Sequence, residues 1–347
     1  MADLTVFDHN SVGNPNNNIF GLPFSEEDAR LVLIPVPWEV TVSYRAGTAR
    51  APERLFRSSL QIDIYDAEMK DVWKEGFYMR EPDKKILLKS DYLRKEAELY
   101  INYISLGENV SNNKFMCKTL KEVNEGSTFL NKWVFDQTSE LLEKGKLVGI
   151  VGGDHSTPLG FLKALAETYK DFGILQIDAH CDLRSSYEGF THSHASIMYN
   201  AINEVPEIQK LVQVGIRDYS DVEWDFVTKN AEKIKVFLDK DIKERQYNGD
   251  TWKQVVDDIV AALPQNVYIS FDIDGLDPKL CPLTGTPVHG GFEANQIFFL
   301  LKKIQESGRK FIGFDLCEIG ISNNEWDENV GARVLFKLCH FMVSSNS

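Results

Sequence analysis

The side chains able to do chemistry gather in three short stretches: Gly152-Gly-Asp-His155-Ser156, Asp178-Ala-His180-Cys-Asp182 and Ser270-Phe-Asp272-Ile-Asp274-Gly-Leu-Asp277-Pro278. Each follows a short apolar run, at 147–151, 172–177 and 267–270, that reads as a buried strand. Strand side chains alternate, so in an extended chain Asp178, His180 and Asp182 project to one side, and Asp272 and Asp274 share a face. A single strand-end Asp is as readily a turn former, and Asp277, followed by Pro278, reads that way. Three such clusters, two of them with an imidazole, point instead to a metal centre. Its candidate ligands are His155, Asp178, His180, Asp182, Asp272 and Asp274. Four crowded carboxylates repel one another without cations, and two divalent ions would balance them. Oxygen and imidazole ligands without thiolate favour Mn²⁺, or a neighbour such as Ni²⁺, Co²⁺ or Fe²⁺, over a structural zinc. Two ions about 3.5–4 Å apart can hold a bridging hydroxide as a nucleophile at neutral pH.

Such residues need a frame. Strands are expected near 31–36, 147–152, 172–178, 210–215, 234–238, 267–272 and 310–316. Helical patterns begin at Ala51 and recur near 92–103, 122–144, 158–168, 195–203, 251–262, 293–307 and 329–343. This alternation predicts an α/β fold, with a mostly parallel sheet covered by helices on both faces. Such sheets work at the carboxyl ends of their strands, where all three clusters fall. No linker or repeat divides the chain, so 1–347 is expected to be one domain. An Asn-rich arm would occupy 1–20, and 66–121 would be an insertion without legible chemistry.

The 347 residues carry a net charge of −14, which argues against nucleic acid and anionic membranes as partners and suits a small cationic substrate. No apolar run is long enough to span a bilayer, and Met1-Ala-Asp-Leu-Thr5 lacks a signal pattern. The five cysteines include no Cys-x-x-Cys pair, and a reducing, cytoplasmic setting is expected.

The three clusters resemble the metal-binding motifs of the ureohydrolases, the family of arginases, agmatinases and related guanidino hydrolases. The likeness extends to Val36-Pro-Trp-Glu39, Tyr44-Arg-Ala-Gly47, Gly285-Thr-Pro-Val-His-Gly-Gly291 and Asp327-Glu-Asn-Val-Gly-Ala332. The stretch Asp182-Leu-Arg184 through Ser193-His194-Ala195 is similar to the agmatinase branch. The resemblance implies a three-layer α/β/α sandwich, two Mn²⁺ ions, and hydrolysis of a guanidino compound to urea and an amine by a metal-bridging hydroxide. Agmatine, giving putrescine, is the favoured substrate. One ion would take His155, Asp178, Asp182 and Asp272, and the other Asp178, His180, Asp272 and Asp274. His194 is the candidate general acid, with Asp182 the second catalytic candidate; His192 is the alternative to His194, and His289 is expected near the pocket. Arg184 is either a pocket-wall charge or a structural ion pair. A trimer or hexamer is also implied.

Two departures bear on substrate. Ser220 stands where arginases carry an Asp for the α-amino group, which disfavours arginine. Gln296 stands where a guanidinium-gripping Glu is expected, with Glu293 one turn earlier as its substitute. Two alternatives stay open: a related amidine hydrolase (acting on a formimino compound, a guanidino acid or guanidine), or a metal-binding protein of this fold without turnover.

Overall fold

Alternation along each strand decides which helical layer its side chains meet. On β1 (Leu31–Val36), Leu31 and Leu33 pack against one layer, and Val32, Ile34 and Val36 against the other. The same division holds on β4 (Phe172–Ile177), where Leu175 and Ile177 oppose Phe172 and Ile174. These strands belong to one sheet in the computed structural model, which describes residues 4, 5 and 7–347. Its other strands are β2 (Phe77–Met79), β3 (Leu147–Gly152), β5 (Ile208–Ile216), β6 (Ile234–Leu238), β7 (Asn266–Asp272) and β8 (Lys310–Cys317). The order is β2-β1-β3-β8-β7-β4-β5-β6, and every neighbouring pair is parallel.

A parallel strand pair needs a crossover, and the helices supply it. Buried residues of α1 (Ala51–Ser59), α7 (Asp239–Tyr247), α8 (Trp252–Ala262), α9 (Ala294–Glu306) and α10 (Trp326–Ser344) join one core layer. Those of α2 (Lys84–Ser105), α3 (Lys114–Glu143), α4 (Leu159–Thr168), α5 (Ile197–Glu204) and α6 (Asp221–Lys229) join the other. The result is the expected α/β/α sandwich. Among the described residues no helix is long and apolar enough to cross a membrane.

The segment 66–121 adds β2 to the sheet edge and supplies α2 and the start of α3. These two helices hold the walls above the strand ends. Ser90 Oγ accepts from the Glu39 amide at 3.0 Å, Asp91 takes both oxygens to Arg50 Nη2 at 2.7 and 2.8 Å, and Arg94 donates to the carbonyls of Val40 and Val42. From α3, Asn124 donates to Gly189 O and accepts from Thr191 N.

Candidate metal centre

Four adjacent strands, β3, β8, β7 and β4, finish at one place, and their ends carry the site. After β3 the chain tucks beneath 36–38, with Gly153 N donating to Val36 O and Asp154 N to Trp38 O. A Cβ on Gly153 would stand 1.7 Å from the Trp38 carbonyl oxygen, so the turn that presents His155 requires glycine there. Past β4 the chain carries Asp178 and His180 and then bends at Asp182, whose φ of 53° is left-handed. His155 Nδ1 lies 3.1 Å from Asp178 Oδ2, 2.9 Å from Asp182 Oδ2 and 3.4 Å from Asp272 Oδ2. His180 Nδ1 lies 3.5 Å from Asp178 Oδ1 and 3.1 Å from Asp274 Oδ2. Two ligand groups result, His155–Asp178–Asp182 and Asp178–His180–Asp274, with Asp178 in both. Asp272 faces the first group and braces the second, its Oδ1 accepting from the Asp274 amide at 2.9 Å.

The donor set fits cations. His155 Nε2 is engaged by Ser270 Oγ at 2.8 Å, while its Nδ1 is buried, faces three carboxylates and makes no hydrogen bond. Burial, then the charge of Asp178, pushes Asp182 up to about 7. Burial, then Asp274 and Asp178, drives Asp272 well above the usual carboxylate range. Against their own burial, the facing carboxylates raise His155 and His180 well above an ordinary imidazole. Protons on the two imidazoles thus offset a negative cluster that divalent ions would balance more fully.

The cleft above, about 480 Å³, is lined among others by His155, His180, Asp182, Asp272, His194, Arg184 and Glu318. The His194 ring stands perpendicular to that of Tyr187, and burial followed by the nearby His180 and His155 lowers it to about 3. Its backbone N–H donates to Thr41 Oγ1 at 3.1 Å, and its Nδ1 lies 3.4 Å from the same oxygen. Arg184 is a wall residue, stacked over Tyr187 with Nε 3.6 Å from Glu223. His192 is drawn off toward Glu204 at 3.5 Å and does not line the cleft. Nor does His289, an exposed residue of the adjoining loop.

Glu293 and Gln296 require correction, because neither reaches the cleft. They form a capping box at the start of α9, Gln296 Oε1 accepting from the Glu293 amide at 2.9 Å, and Glu293 pairs with Lys279. A carboxylate that does face the cleft, besides Asp182, Asp272, Asp218 and Glu223, is Glu318, directly after β8. It is buried, its Oε1 accepts from the His155 amide at 2.9 Å, and burial with the nearby Asp154 charge raises it well above the usual range. The signal for it is the one that marks the other strand ends, a carboxylate just past an apolar run.

Comparison with known proteins agrees with this geometry. A sequence model described as the Arginase family matches residues 29–340. The chain is 27% identical over 312 residues to N(1)-aminopropylagmatine ureohydrolase of Thermus thermophilus, covering 89% of each. It is 28% identical over 306 residues to agmatinase of Proteus mirabilis, covering 88% of this chain and 84% of that one. Its fold matches the crystal structure of agmatine ureohydrolase of Thermoplasma volcanium with a TM-score of 0.69 at 22% identity, covering 98% and 96%. With a family match over most of its length and a His/Asp cluster at the strand ends, the chain belongs to the arginase family and is a hydrolase of the ureohydrolase type.

Proposed function

We propose that this chain hydrolyses the guanidinium group of a small cationic compound to urea and an amine, with agmatine as the first candidate and its N(1)-aminopropyl derivative as the second. The observation that carries this reading is Asp178 shared between two ligand groups, with the Glu318 carboxylate facing the same cleft. Relatives named for agmatine and for aminopropylagmatine support the substrate class. Ser220 adds to this, since its hydroxyl caps α6 and offers no carboxylate for the α-amino group of arginine.

Two divalent ions, Mn²⁺ first among them, would be held by His155, Asp178, Asp182 and Asp272 on one side and by Asp178, His180, Asp272 and Asp274 on the other. When bound, they supply a water that is ionised at neutral pH. The chain does the rest. Glu318 receives the guanidinium N–H groups through charge-assisted hydrogen bonds, each worth about 1.5–3 kcal/mol. His194, its Nδ1 engaged by Thr41, keeps Nε2 to carry the proton that the departing amine needs. The test is urea release from a panel of agmatine, aminopropylagmatine, arginine and a guanidino acid, with and without chelator. The expected result is release from agmatine or its derivative, abolished by chelation and restored by Mn²⁺. Release from the guanidino acid alone, or from none of the panel, overturns the reading.

A further inference from the structure

One row of the sheet is out of character with the rest. Asp315 on β8 is the register partner of Ser270 on β7, Ser270 that of Gln176 on β4, and Gln176 that of Gln213 on β5. All four side chains are completely buried. To either side the row returns to apolar residues, Ile150 beyond Asp315 and Val236 beyond Gln213. Polar groups in the middle of a parallel sheet cost free energy unless they are paired, and apolar side chains would fill the same row without that cost.

The pairing runs toward the ligands. Gln213 Nε2 donates to Gln176 Oε1 at 2.6 Å and to Cys181 O at 2.7 Å. Gln176 Nε2 donates to Asp178 Oδ2 at 2.8 Å and to His180 O at 3.2 Å. At the other end Ser270 Oγ meets His155 Nε2 at 2.8 Å and donates to Asp315 Oδ1 at 3.2 Å. The row therefore grips the carboxylate shared by both ligand groups, the backbone that carries His180 and Asp182, and the imidazole of the first group. With the Ser270 proton given to Asp315, Ser270 accepts from His155 Nε2–H, which fixes the ring orientation and reserves Nδ1 as the atom that an ion would take.

We infer that Gln213, Gln176, Ser270 and Asp315 form a positioning shelf that sets the cation affinity of the centre by fixing Asp178 and His155 before an ion arrives. Gln213 is the most informative member, because it touches no ligand side chain and acts on Asp178 through Gln176. Partners of this kind alter metal affinity by about tenfold to a hundredfold when removed. A purely structural role makes a different prediction: removing one partner leaves buried acceptors such as Gln176 Oε1 and Cys181 O without their donor, a cost that would fall equally on the metal-free and the loaded fold.

The inference rests on the metal-centre reading, and the experiment separates the two. Full-length protein loaded with Mn²⁺ is competed against a chelator, and melting temperatures are taken for loaded and stripped forms. The variants are Gln213→Leu and Ser270→Ala, with the exposed Gln209→Leu on the same strand as control. Expected are Mn²⁺ affinities about tenfold to a hundredfold weaker for the first two, an unchanged control, and stripped forms that lose less melting temperature than the loaded ones. Affinities within twofold of wild type overturn the inference. So does a stripped form destabilised as much as the loaded one, since the row would then serve the fold alone. Should Gln213→Leu fail to fold, Ser270→Ala, which removes one oxygen, decides. Wild-type protein that retains no Mn²⁺ refutes the metal centre itself, and the shelf with it.

Discussion

A carboxylate serves a guanidinium only when no other cation holds it, and this separates Glu318 from Glu293. Glu293 is tied to Lys279, whereas Glu318 is engaged by a backbone amide beside the ligand groups. Glu318→Gln should cost about ten- to a hundredfold in kcat/KM for the guanidino substrate. Glu293→Gln and Gln296→Glu should leave it unchanged, and steady-state urea release measures all three. A similar contrast holds for the histidines. His194→Ala should lower kcat by about 10²–10⁴ with bound metal intact, and His192→Ala, whose ring faces Glu204, should change little. Rates set beside elemental analysis decide between them. The six ligand candidates can be read from sequence because each strand end brings two or three of them, or a His beside glycines, within five residues. Glu318 has only its place just past an apolar run to mark it, with no second ligand-type residue following it closely. Its meaning comes from β8 lying between β3 and β7, which is a fact of topology.

Elements show the same limit. The strands with buried apolar runs match their expected positions to within two residues, and Gly145, at φ 71°, ends α3 as its sequence suggests. Three elements escape the pattern. β2 has three residues, too few to show alternation. α6 buries Glu223 and Val227, and α7 buries Asp239 and Ile242, so neither carries an apolar stripe. Likewise α3 begins at Lys114, before the apolar spacing becomes regular, because Asn113 caps it by accepting from Phe115 and Met116. The helices α2 and α3 matter to the chemistry through the loops they hold. Arg94 anchors the carbonyls on either side of Thr41, and Thr41 in turn holds His194. A misplacement of about 1 Å can cost a hundredfold in rate. Arg94→Ala should therefore lower kcat at least about tenfold while KM and bound Mn²⁺ stay near wild type, and kinetics with metal analysis will show whether it does.

At the scale of the whole molecule, stability should fall on mild acidification for a reason remote from the cleft. His340 on α10 is fully buried against Phe77 and Phe336, its Nδ1 donating to Phe336 O at 2.8 Å and its Nε2 without a partner. Burial lowers it to about 4, despite the Phe336 hydrogen bond and the charge of Asp66, with Lys337 pushing the same way as burial. The unfolded imidazole, near 6.5, binds its proton first, so this contribution is complete above pH 6.5 and lost as pH falls toward 4. Between pH 7 and 5 it amounts to about 2 kcal/mol. Urea unfolding of wild type and His340→Leu at both pH values should show the variant losing less by about that amount. A second consequence concerns the order in which the protein is made. Before β8 emerges from the ribosome, the sheet exists as two separate parts, β2-β1-β3 and β7-β4-β5-β6, because β3 and β7 meet only through β8. His155 belongs to the first part and the four ligand aspartates to the second. A nascent chain ending at Ser307 should therefore retain fewer Mn²⁺ ions on gel filtration than the full chain, because His155 is parted from the other ligands although every proposed metal ligand has already been translated. Completing the ligand set around His155 is then a late event in the life of each chain, and β8 is the strand that permits it.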